Sequence, residues 1–156
     1  MMFLLMGCLA TWQTKKIQSW DDGDDLTNIH SMIIESKHGY HRELAIKQLT
    51  YIPTEEWSIE TTKTLIECVD NSLEHSYIRA QCAGVLALSP ASTKEAVDSI
   101  IAAMEECDDE ARYWMLVALE NYADLSSLAR GQIAESQYDP DLFISSEAKR
   151  WLEENQ

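Results

Sequence analysis

Asp108-Asp109-Glu110-Ala111-Arg112-Tyr113-Trp114-Met115-Leu116-Val117-Ala118-Leu119 decides the reading of this chain, because its skeleton recurs. Reduced to fixed points it is Arg112-x-x-Met115-x-x-x-Leu119. Upstream stand Arg79-x-x-Cys82-x-x-x-Leu86 and Arg42-x-x-Ala45-x-x-x-Leu49, and downstream a degenerate copy has Ser145 in the Arg place, then Ala148 and Leu152. The copies are 37, 33 and 33 residues apart. A fixed period in this range marks an architecture in which each unit buries its apolar side only against its neighbours. In each copy the residue before the Arg, the third after it and the seventh after it share one helical face. Ile78, Cys82 and Leu86, and likewise Ala111, Met115 and Leu119, are therefore expected in the core. His41 takes the first of these places in the first copy, which marks an end unit partly open to water.

Working outward, each copy is the second helix of a pair. The pattern predicts helices over 25–36 and 39–52, 58–70 and 75–89, 92–106 and 109–123, and 125–136 and 142–155. The first helices carry matching apolar doublets, Ile33-Ile34, Leu65-Ile66 and Ile100-Ile101. Pro53, Ser89-Pro90 and Asp139-Pro140-Asp141 punctuate the series. Residues 2–20 read as a further helix, apolar and then amphipathic, that caps the first unit. Asp21 to Asp25 break it around Gly23, and Asp24 or Asp25 can accept the free amides of the next helix. The division is thus an apolar capping segment over 1–24 and a repeat domain over 25–156. The fold class is all-α, a short right-handed α-solenoid of about four helical hairpins.

The composition agrees. Hydrophobic residues make up 46% of the 156, against disorder, and five Gly and three Pro are few for a chain of tight β-turns. The net charge of −15 repels nucleic acid and anionic membranes and suits a basic protein partner, while it also keeps any chain soluble. The four cysteines Cys8, Cys68, Cys82 and Cys107 lack metal-type spacing, and Cys82 takes a small core place, so a buried free thiol, reduced cysteines and a cytoplasmic setting are expected. The alternative starts from Leu5-Met6-Gly7-Cys8, which resembles a bacterial lipoprotein cleavage site and would anchor the chain through Cys8. Against it, no basic residue precedes the short apolar run, and Lys15 and Lys16 follow it.

Together with Tyr77-Ile78-Arg79-Ala80-Gln81-Cys82-Ala83-Gly84-Val85-Leu86, the opening stretch resembles the HEAT-repeat family of helical-hairpin solenoids, over about residues 25–155. That family favours an acidic turn, an apolar residue and Arg, small residues, then Leu. The resemblance implies that Arg42, Arg79 and Arg112 are structural and pair with an acid or helix end in the adjacent turn. It also admits enzymes. Some members are metal-dependent hydroxylases built on His-Glu pairs in several repeats, and others are chromophore lyases.

Little in the sequence supports chemistry. Phosphate-cradling Gly loops, a Gly-x-Ser-x-Gly elbow and His-Glu-x-x-His are all missing. His38 and His41 with Glu43 are the one conceivable metal or catalytic set, though a His-Glu pair does not recur in every unit. Glu74-His75 reads as a helix start. The acidic run Asp21 to Asp25 fails as a calcium loop, because Leu26-Thr27-Asn28-Ile29 follows it. No cofactor and no metal are therefore expected.

In a solenoid the second helices line the concave side, where Ala80, Gln81, Gly84, Ala87 and Leu88 in one unit, and Tyr113, Trp114, Val117, Glu120 and Asn121 in the next, should face out. Small residues beside large aromatics make a shelf with a wall, and acids such as Glu120 and Glu147 a rim, as in interface hot spots. The expected partner-binding set is Tyr113, Trp114, Val117, Glu120, Glu147 and Arg150. The competing reading packs Trp114 between neighbouring second helices as core. The functional expectation is a non-enzymatic interaction module that holds a basic protein on its concave face. A sharper form is an immunity-type inhibitor of a basic toxin, and the alternative is a HEAT-type lyase or metal-dependent enzyme.

Overall fold

The computed structural model of the protein describes residues 25–89 and 93–155. These form eight α-helices and no strand. α1 (Asp25–Glu35) pairs with α2 (Gly39–Leu49), α3 (Ile59–Asp70) with α4 (Ser76–Leu86), α5 (Thr93–Glu106) with α6 (Asp109–Glu120), and α7 (Ser127–Ser136) with α8 (Leu142–Glu154). A 3-10 turn, Thr54–Glu56, leads into α3. The chain is all-α, as its periodicity predicts. The capping helix expected over 2–20 lies outside the described residues, as do Cys8 and the Asp24 cap.

Local sequence sets the helix starts. Ser58, Asp108, Ser126 and Asp141 each accept a backbone amide of the first turn that has no partner inside the helix. His75 caps α4 through Nδ1, 3.3 Å from the Tyr77 amide. The ends of the second helices differ from the pattern in one regular way. α2, α4 and α6 stop at Leu49, Leu86 and Glu120, three residues before the predicted 52, 89 and 123. The chain there tightens from i→i+4 into i→i+3 bonds, such as Ile52 to Leu49, Ser89 to Leu86 and Ala123 to Glu120. Buried residues continue through these turns, Tyr122 and Ala123 among them, so the apolar period runs on after the α-helix has ended.

The helices pack as two rows. α1, α3, α5 and α7 touch in succession, α2, α4, α6 and α8 do the same, and among the described residues no hairpin touches the next but one. The core lies between the rows. Ile78, Cys82, Leu86, Ala111, Met115 and Leu119 are all buried in it, joined by Ile33, Leu65 and Ile100, the first residue of each doublet. The second residues, Ile34, Ile66 and Ile101, are partly exposed.

The repeat arginines tie one hairpin to the next. Arg42 donates to the Ser36 carbonyl and, from Nη2, to Glu74 in the turn between α3 and α4 at 3.0 Å. Arg79, 4% exposed, donates from Nε to the Val69 carbonyl at 2.7 Å and pairs with Glu106 at the end of α5 at 3.1 Å. Arg112 pairs with Asp109 at 2.9 Å and with Asp139, between α7 and α8, at 3.1 Å. Val69 sits in the last turn of α3, whose carbonyls have no intrahelical donor, so Arg79 closes a helix end and an ion pair together. Tyr122 does the same for α4, donating its hydroxyl to the Leu86 carbonyl at 2.8 Å, and burial pushes its pKa up.

One expectation is corrected here. Cys82 is not a free thiol; it is bridged to Cys68, with the two Cα atoms 6.2 Å apart. The residues lie 14 apart in sequence on the facing sides of the antiparallel α3 and α4, a proximity that spacing alone does not reveal. Cys107 is the free cysteine among the described residues. The bridge removes the ground on which a cytoplasmic setting was expected.

Candidate functional site

Neighbouring helices of the second row, α4 and α6, carry the expected shelf and wall. Tyr77, Gln81 and Gly84 on one side and Trp114 and Val117 on the other border an open depression of about 490 Å³. A Cβ added at Gly84 would meet no atom within 4 Å, so the glycine leaves real space beside the indole. Trp114 is 50% exposed, which excludes its reading as core. Ala80, expected on the surface, is buried beneath the depression, where it packs in the interior.

Tyr113 does not share this depression. It is partly buried against the core, meets Trp114 edge to face with ring centroids 5.2 Å apart, and turns toward α8. There it lines a second hollow of about 300 Å³ with Phe143 and Asp141. The two hollows have one lining residue in common, Glu110.

The acidic rim also differs from expectation. Glu120 and Glu147 do not stand free for a partner's basic groups, because Arg150 engages both. Its Nη2 lies 2.6 Å from Glu147 and 3.3 Å from Glu120, and its Nη1 pairs with Glu154 at 2.5 Å. Three carboxylates share one guanidinium, an arrangement that sequence order hides because Glu120 ends α6 while the others lie on α8. The Glu120 side chain is 14% exposed, and its Oε1 is buried with no hydrogen-bond partner. Burial first, and the charge of Glu147 second, push its pKa up to about 7 against the pull of Arg150.

The sequence-predicted set therefore falls into three places: Trp114 and Val117 in the larger hollow, Tyr113 in the smaller, and Glu120, Glu147 and Arg150 in a charge cluster of their own. Tyr77, Glu110 and Phe143 were missed. All three stand two places before the Arg position of their copies, on the helical face of the residue two places after it, so counting backwards as well as forwards would have found them.

For the histidines, His38 and His41 stack edge to face at 5.2 Å. No group of three or more His, Cys, Asp or Glu side chains converges as metal ligands would among the described residues. His30 bonds Thr61 at 3.0 Å through Nε2, and burial lowers its pKa. Among the described residues no helix is long and apolar enough to cross a membrane. No protein-family model, no curated protein and no solved structure matches the chain.

Proposed function

We propose that the hairpins make a short right-handed α-solenoid of HEAT-like units, and that the protein is a non-enzymatic interaction module holding a basic protein on the face of α2, α4, α6 and α8. The observation that carries this reading is Trp114. A folded chain tends to bury an indole, and here half of it is left in water over a hollow that no Lys, Arg or His among the described residues lines. Tyr40, Tyr77 and Phe143 are exposed on the same row of helices, so the apolar surface recurs from hairpin to hairpin. With a net charge of −15, the approach of a basic partner is steered electrostatically, and an inhibitor of a basic toxin is one member of that class. The Cys68–Cys82 bridge favours an oxidising compartment over the cytoplasm.

Affinity capture with the wild-type chain and Trp114→Ala side by side tests the proposal. A basic protein should be retained by the first and lost by the second, while the melting temperature falls only slightly. A stability loss in the range of core aromatic truncations, about 3–5 kcal/mol, would instead make Trp114 structural. Equal retention by both chains would remove the face from consideration.

A further inference from the structure

Glu110 is an acid of this face that no other described side chain engages. Of the carboxylates beside it, Asp109 pairs with Arg112, and Asp141 caps α8 through the amides of Phe143 and Ile144. Glu110 is exposed and makes no ion pair or side-chain hydrogen bond with the described residues, yet it borders both hollows. Tyr77 and Trp114 line the larger hollow with it, and Tyr113 and Phe143 the smaller. Among the described residues, neither hollow is lined by a cation that could neutralise it. All five arginines are occupied with carboxylates elsewhere.

An unpaired carboxylate in hollows lined by aromatic side chains is complementary to a cation with a flat face. The carboxylate meets the charge, and a ring face attracts the same charge through its quadrupole. A guanidinium fits better than an ammonium, since it is planar, stacks on aromatic rings and offers paired N–H groups to a carboxylate. Gln81 and Asn121 add side-chain carbonyls at the edge of the larger hollow, which can accept the remaining N–H groups.

We infer that Glu110, with Trp114 and Tyr77 beside it, is a receptor for an arginine side chain presented by the protein partner. This assignment rests on the interaction face proposed above and adds the chemistry that the face reads.

The test uses fluorescein-labelled peptides of alternating glycine and arginine, and of glycine and lysine, titrated into the full chain at about 0.15 M salt, where distant charges are screened. The arginine peptide should bind at least fivefold more tightly than the lysine peptide. Glu110→Gln should weaken it about tenfold, and Trp114→Leu, which keeps apolar bulk but removes the π face, about fivefold. Glu135→Gln removes the same charge from α7 in the other row and should change binding less than twofold. Equal losses in Glu110→Gln and Glu135→Gln would reduce the effect to net charge and overturn the assignment. So would equal binding of the two peptides, or full binding by Trp114→Leu. If the captured protein partner is lost by Trp114→Ala yet kept by Glu110→Gln, the face stands and the arginine receptor falls. Should Trp114→Leu melt early, the Glu110→Gln comparison decides alone.

Discussion

Glu120 shows how one side chain can be set against its own fold. In the unfolded chain its carboxyl ionises near 4.5, and in the folded chain near 7. Below 4.5 it is protonated in both states and affects neither. Between the two values the folded state keeps a proton that the unfolded state has released, so stability falls as pH rises through that window. Above about 7 the full penalty of a half-paired, buried charge remains. Glu120→Gln should flatten this slope and stabilise the protein at pH 8 by on the order of 1 kcal/mol, the shift being discounted for water around Arg150. Urea midpoints of both chains from pH 4.5 to 8 check it; an unchanged slope in the variant would place the titration elsewhere. Arg79 is the opposite case, since carbonyl and carboxylate both reward its burial.

At the scale of the element, the Arg-to-Leu spacing gave away the second helices and their buried faces, because a fixed apolar period on a helix admits only one orientation toward the core. Leu86→Ala and Leu119→Ala, both without exposed surface, should each cost about 2–5 kcal/mol in chemical denaturation, far more than Trp114→Ala. What the period could not convey was pairing between elements. Cys68 with Cys82, Tyr122 with Leu86, and Arg150 with Glu120 depend on which helices lie side by side. The hollow was half legible, as Trp114, Val117 and Gly84 follow from counting forward, whereas Glu110 looks like an ordinary first-turn acid until its neighbours are known. The bridge makes its own prediction. Alkylation before and after reduction should show Cys68 and Cys82 becoming reactive together, and reduction should cost about 3 kcal/mol from the freed loop entropy.

For the molecule as a whole, charge and packing divide the work. The five arginines are committed within the chain, four of them between successive hairpins, and acids outnumber the bases by fifteen. The face carrying Trp114 and Glu110 spans the second and third hairpins, each of which has a neighbour on both sides. Since, among the described residues, every hairpin leans only on the adjoining ones, opening is expected to have a direction. Among the described helices, amide hydrogens of α8, at one end of the row, should exchange through fraying that leaves the rest standing, and those of α4 and α6 only when the row parts in the middle. On that expectation the hollow sits where the described helices open last, and a partner seated there would meet a surface already held in shape before it arrives.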